Sequence, residues 1–139
     1  MIAVKVEVVF NNIESSGQDL TKDLDRVVKE TAENIEKRSR EYMESSPATG
    51  RIYKKPGGGE HQASAPYEPP AIYEGDLIAS SYTKKLGESD YEVGFKDPKA
   101  PWLEFGTPRM LPRPFFRPAI SLERQEFYRK IEEAFVRIR

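Results

Sequence analysis

The 139-residue chain contains no cysteine, one histidine, one tryptophan and almost no charge surplus, with 22 Lys and Arg against 23 Asp and Glu for a formal charge of −1. Each scarcity excludes something. Without cysteine there is no disulfide framework, no thiol nucleophile and no thiolate zinc site, and the chain suits a reducing compartment. With His61 alone, a histidine metal cluster or a two-histidine relay is out of reach. A domain that grips duplex nucleic acid through its phosphates carries a clear cationic excess, which is missing here. Long apolar runs are missing too. The opening "MIAVKVEVVF" is interrupted by Lys5 and Glu7 and is too short for a signal peptide or a membrane span, so a soluble, unexported chain with no membrane partner is expected.

What is present is enough for one domain over residues 1–139, since a chain of about 150 residues buries roughly two-thirds of its unfolded surface. Residues 2–10 alternate, with Ile2, Val4, Val6, Val8 and Phe10 on one face and Lys5 and Glu7 opposite, the pattern of a half-buried strand. "NNIESSGQDL" supplies turn and capping residues. From about residue 18 the period changes: Leu20, Leu24, Val27, Val28, Thr31, Ile35 and Tyr42 predict a long amphipathic helix over roughly 18–44. Residues 45–72 lose all periodicity and are rich in Gly, Pro, Ser and Ala, which predicts a long flexible loop, within which "RIYKK" could form a short strand.

"EGDLIASSYTKKLGESDYEVGF" reads as a helical turn followed by a hairpin. Tyr82, Lys84 and Leu86 alternate on one arm, Tyr91, Val93 and Phe95 on the other, and "GESD" forms the turn. Asp97 as N-cap and Pro98 as first helical residue predict a short helix carrying Trp102, Leu103 and Phe105, stopped by Gly106. A last helix is expected from residue 114–117 to about 137, with Pro118 in its first turn and Phe116, Ala119, Ile120, Phe127, Ile131, Ala134, Phe135 and Ile138 as its apolar stripe. No repeat or heptad run is evident.

Catalytic constellations are thin. "KKPGGGEHQAS" lacks the Lys-Ser/Thr pair of a phosphate-binding loop, so its glycines point to mobility, while Arg51, Lys54 and Lys55 could touch phosphate or an acidic neighbour. Most carboxylates lie beside basic residues on helix surfaces, as on a solvated, ion-paired face. Glu104, between Trp102-Leu103 and Phe105-Gly106-Thr107, is expected at a surface or interface; Phe105, Phe115 and Phe116 are expected as packing residues.

Several ordered motifs then stand together. They are a G-R-x-Y loop around Arg51 and Tyr53, an H-Q-A-S-A-P-x-E-x-P-A element starting at His61 and Gln62, and an x-G-x-L-x-x-S segment. An E-F-G-T motif (Glu104–Thr107) and a P-F-x-R-P-A helix start (Pro114, Phe115, Arg117, Pro118) complete the set. Over about residues 17–135 this arrangement resembles the tail-component family of tailed bacteriophages and prophages, also called tail completion or head–tail joining (neck) proteins. The chain departs from the family pattern at Tyr67, where Gly is usual, and at Glu74-Gly75-Asp76, where Thr-Gly-Arg is common.

The resemblance implies an α+β fold, with a long N-terminal helix packed on a small, mainly antiparallel β-sheet and a second helix at the C-terminus. It implies a non-enzymatic virion assembly protein without cofactor or metal. Such a protein forms a ring of copies of itself, expected as a hexamer, that terminates the tail or joins it to the head. Partners would be neighbouring neck or tail-tube proteins, with DNA passing through unread; the location would be the virion, and the host cytoplasm during assembly. Arg51, Tyr53, Lys54, Lys55, His61 and Gln62 are the candidate assembly contacts. Trp102, Glu104, Phe105, Gly106, Thr107, Pro114, Phe115, Arg117 and Pro118 are the candidate structural motif. Two other classes stay open on the residues alone: a monomeric nucleic-acid or protein-binding adaptor, and a small hydrolase using Glu104 and loop carboxylates.

Overall fold

The computed structural model describes residues 1–9 and 17–136. Phe10, the capping residues of 11–16, the expected end of the last helix at 137 and Ile138 lie outside the described residues. In chain order the elements are β1 (Ile2–Glu7), α1 (Gly17–Glu44), β2 (Ile52–Lys54), β3 (Glu60–Gln62), α2 (Asp76–Ala79), β4 (Ser81–Gly87), β5 (Asp90–Phe95), α3 (Ala100–Phe105) and α4 (Arg117–Val136).

The fold is α+β. β5 is the central strand of an antiparallel sheet ordered β1-β5-β4, and β2 and β3 form a separate hairpin. Val4 lies opposite Val93 and Val6 opposite Tyr91, while Thr83 faces Val93 from the other side. Side chains alternate along a strand, so these residues and Phe95 share one face. The 28-residue α1 packs across that face and α4 packs along α1. Leu20, Leu24, Val27, Val28, Thr31 and Ile35 are all buried, as the helical period requires, joined by Ala32, Ser39 and Met43. The main core gathers Val28, Ile35, Val93, Phe95, Phe115 and Phe116, and a smaller cluster of Leu20, Leu24 and Ala134 closes the far end of the helix pair. Phe95 meets Phe115 edge-on, with ring centroids 5.0 Å apart, and Phe116 at 5.8 Å.

Three local expectations are corrected, at the start of the short helix, on β4 and near the end of α4; the short strand expected in "RIYKK" is β2. The short helix begins at Ala100, with Lys99 as N-cap and Pro101 in its first turn, two residues later than Asp97-Pro98 suggested. Asp97 organises the approach instead: its Oδ1 accepts the Lys99 N–H at 2.9 Å and its carbonyl accepts the Ala100 N–H at 3.0 Å. On β4 the core-side positions are polar. Ser81 and Thr83 donate to the Glu36 carboxylate of α1 at 3.0 and 2.5 Å, whereas Leu86 points outward and is exposed. Phe135 is also exposed: near the end of α4 the face turned to α1 is carried by Ile131 and Ala134, and Phe135 lies off it. Within 45–72, the β2–β3 hairpin sets Tyr53 opposite His61, and Gly58 and Gly59 take the positive φ its turn needs.

Candidate functional site

The segment from α3 to the start of α4 is built around one carboxylate. Glu104 is fully buried, contrary to its expected surface position. Its Oε2 accepts the backbone N–H of Phe115 at 2.8 Å and of Phe116 at 2.9 Å, and its Oε1 accepts the N–H of Arg117 at 2.8 Å. The first amides of a helix have no partner within it, and their partial positive charge favours an anion. Glu104 therefore caps α4 from eleven to thirteen residues upstream. Arg117 reciprocates: Nε donates to Glu104 Oε1 at 3.0 Å and Nη2 to the Glu104 carbonyl at 3.0 Å. Pro118 is the second residue of α4, where its missing N–H removes no helical bond.

The chain between these partners is tightly fixed. Gly106 ends α3 at φ +80°, and a Cβ on it would lie 2.8 Å from the Met110 carbonyl, so conformation and space both demand glycine. Thr107 and Met110 exchange backbone hydrogen bonds at 2.8 and 3.2 Å, and the Arg113 N–H returns to the Leu103 carbonyl at 2.6 Å. Half-buried Pro114 leads into Phe115 and Phe116, which are core residues as expected. Phe105 is not. It is 55 % exposed, its ring lying 4.6 Å from the Arg117 guanidinium carbon, and Trp102 is 54 % exposed. Trp102 and Phe105, three residues apart on α3 and so neighbours on the helix surface, lie outside the joint whose inside is Glu104, Phe115 and Phe116, and Leu111 is exposed as well.

The hairpin gathers the six candidate contact residues without making a catalytic arrangement of them. The Arg51 guanidinium carbon lies 5.5 Å from the Tyr53 ring centroid, and the Lys55 ammonium lies 5.5 Å from that of Tyr73. His61 meets Tyr73 edge-on at 4.8 Å, Gln62 donates to the Gly50 carbonyl at 3.2 Å, and Lys54 is exposed. Below the hairpin, Glu68 ties the loop together. Its carboxylate accepts the Thr49 hydroxyl, the Thr49 N–H at 3.1 Å and the Ala65 N–H at 2.9 Å. The Thr49 hydroxyl and these two amides hold its carboxyl below the usual carboxylate range. Tyr67, at the position where the resembled family carries glycine, has φ +68° and donates its N–H to the Pro112 carbonyl at 2.8 Å.

Between the hairpin, residues 70–78 and residues 99–113 lies a cleft of about 160 Å³. Of the expected contacts only His61 reaches it; Ser64, Tyr73, Leu103 and Arg113 also line it. Sequence reasoning missed this cleft, the role of Glu68, which it had only as the Glu of the H-Q-A-S-A-P-x-E-x-P-A element, and the buried Glu123 of α4, which binds Arg38 and Asn34 of α1. Only Glu68 left a trace in the sequence, since a carboxylate three residues after Ala65 can reach back to that residue's amide. Among the described residues no group of three or more His, Cys, Asp or Glu side chains is placed to hold a metal ion, and no helix is long and apolar enough to cross a membrane.

Comparison with protein-family models, with curated proteins and with solved structures finds no match, so the functional reading rests on the residues and their geometry.

Proposed function

We propose that the chain is a structural subunit of a tailed-bacteriophage or prophage particle, assembling as a ring at the tail end or neck. The ring terminates the tail or joins it to the head, has no enzymatic role, and lets DNA pass without reading it. Six copies around the axis is the working stoichiometry, and neck or tail-tube proteins are the neighbours. The protein would be made in the host cytoplasm and end in the virion.

One observation carries this reading. The two motifs at the centre of the resemblance, E-F-G-T and P-F-x-R-P-A, form a single joint with a buried half and an exposed half. Glu104 fixes the direction in which α3 presents Trp102 and Phe105, large apolar groups held on a rigid element outside a complete core. Large apolar side chains held side by side on a helix outside the core suit a protein–protein contact. A near-neutral charge suits a channel in which DNA slides, because gripping phosphates needs a cationic excess. Head-to-tail contacts between identical copies close into rings where the rotation permits.

Light scattering and negative-stain microscopy of the purified chain, alone and with tail tubes, test the proposal. Rings, or discs capping tube ends, are expected. Monomers at high concentration together with bare tubes would overturn it and favour a monomeric adaptor.

A further inference from the structure

We propose that the free edge of β1 takes up an extended arm of a partner protein as an added strand, apolar at alternate positions with a carboxylate at the end of that row. The register of β1 on β5 decides which of its main-chain groups are already used. The Val8 N–H bonds to the Ser89 carbonyl at 2.9 Å, in line with the register that sets Val6 opposite Tyr91 and Val4 opposite Val93. In an antiparallel pair, residues that bond across alternate with residues that do not. The amides and carbonyls of Ala3, Lys5 and Glu7 therefore face away from β5, and among the described residues no strand pairs with that side.

The two edges of the sheet differ. β4 is closed to addition: its core-side positions are Ser81, Thr83 and Lys85, and the Lys85 ammonium lies 5.8 Å from the centroid of the Tyr91 ring. A bulge also interrupts its register between Lys85 and Gly87. Inward charges and bulges keep a sheet edge from pairing. β1 has neither. Its register is unbroken from Ile2 to Glu7, and its core-side Ile2 and Val4 are only half-buried.

Beside this edge lies a groove of about 210 Å³, floored by Thr31 and Ile35 of α1 and walled on the far side by Ile120, Phe127 and Tyr128 of α4. Side chains of an added strand alternate, so every second one enters the groove beside Val4 and Val6, where the lining selects apolar residues. A whole second copy does not fit. With Ala3, Lys5 and Glu7 making the bonds, two β1 strands would pair with both cores on one side of the sheet, and the second α4 would meet the first across the groove. A single extended arm brings no helix. Charge completes the choice: Lys5 is held by Glu7 and Asp90 at 3.5 and 3.4 Å, whereas Arg124, exposed on the groove, has no ion pair among the described residues. A carboxylate on the helix side of the arm answers it.

The test is an NMR titration of the full chain with acetyl-Glu-Thr-Val-Thr-Val-Thr-Glu-amide, read by amide hydrogen exchange. Saturable binding should slow exchange at Lys5 and Glu7, whose amides gain acceptors, and leave Thr83 and Lys85 on the other edge unchanged. Lys in place of both Glu residues should weaken binding about threefold, as for an exposed ion pair, and Arg124→Glu should reverse that preference. Lys5→Pro removes an N–H that the fold does not use and should bind the Glu peptide about tenfold more weakly. If Lys5→Pro does not fold, Tyr128→Ala, at a side chain 64 % exposed, should weaken the same peptide by removing part of the wall. No binding, or shifts without slowed exchange at Lys5 and Glu7, would overturn strand addition. Equal binding of the Glu and Lys peptides would overturn the acidic arm. A dimer of the free chain that the peptide dissociates would overturn the partner arm in favour of a second copy. The inference does not rest on the ring reading: binding is measured on the isolated chain, so failure to form rings and failure to bind the peptide are separate outcomes.

Discussion

Glu104 and Arg117 hold each other twice, side chain to side chain at 3.0 Å and Arg117 Nη2 to the Glu104 carbonyl at 3.0 Å, while the same carboxylate accepts the Arg117 amide at 2.8 Å. The pair is asymmetric in burial: the glutamate is enclosed and the arginine side chain is 53 % exposed. Its two members therefore differ in what their removal does. Glu104→Ala leaves three amides without an acceptor and a void in the core, and should destabilise the protein by about 3–5 kcal/mol. Arg117→Ala leaves the carboxylate its three amides and should cost about 1–2 kcal/mol. Urea denaturation of both variants checks the order, and equal losses would refute the capping role.

Phe105 and Phe115 separate packing from presentation. Phe115→Ala should lower stability by about 3–5 kcal/mol, the usual range for a buried phenylalanine. Phe105→Ala, at an exposed ring with one cationic neighbour, should stay within about 1 kcal/mol of the parent. Under the ring proposal it should nonetheless reduce assembly. A Phe105→Ala protein that caps tail tubes normally would exclude this ring from the contact surface.

Gly106 and Tyr67 share a positive φ and predict opposite signs. Gly106→Ala puts a Cβ against the Met110 carbonyl at an unfavourable φ and should cost at least about 1–3 kcal/mol. Tyr67→Gly relieves a positive φ at an exposed position, and its melting temperature should equal or exceed that of the parent. A marked loss on Tyr67→Gly would mean that the ring makes a contact its exposure hides.

Glu68 gives a pH dependence. Its carboxyl is held below the ordinary range in the folded chain, so the stability it lends is complete above the unfolded pKa and is lost as pH falls through the lower folded value. Protection of the Thr49 and Ala65 amides, corrected for intrinsic exchange, should therefore persist near neutrality and collapse in acid. Glu68→Gln should show little of that acid transition. Identical acid profiles for the two proteins would dismiss Glu68 as its source.

The β2–β3 turn allows a test of where assembly contacts lie. Replacing residues 55–59 by Asn-Gly, the preferred two-residue connection, keeps Lys54 paired with Glu60. The melting temperature should change little while ring formation or tail joining is impaired. Unimpaired joining would remove the hairpin tip from the contact set.

What the sequence made legible was periodic. The stripe from Leu20 to Ile35 could be only one face of a helix, and the alternation through Val4 and Val6 only one face of a strand. The hidden features depend on residues distant in sequence. Nothing local distinguishes Glu104 from a solvated carboxylate, because its partners come eleven residues later, after a turn only the folded chain closes. Phe105 and Phe116 look alike in composition, and only helix orientation puts one outside and one inside. The cleft was invisible for the same reason: Ser64 and Arg113 lie 49 positions apart.

The turn between Gly106 and Arg113 is anchored at both ends by bonds that owe nothing to its tip: Arg113 N–H to the Leu103 carbonyl before it, and Glu104 to the amides of Phe115 and Phe116 after it. Lengthening such a pre-closed span adds only about 0.6 kcal/mol for each doubling. Pro108 and Arg109, exposed at its crest, are thus a natural graft point, where a foreign epitope could be spliced in and displayed while the scaffold beneath keeps its shape.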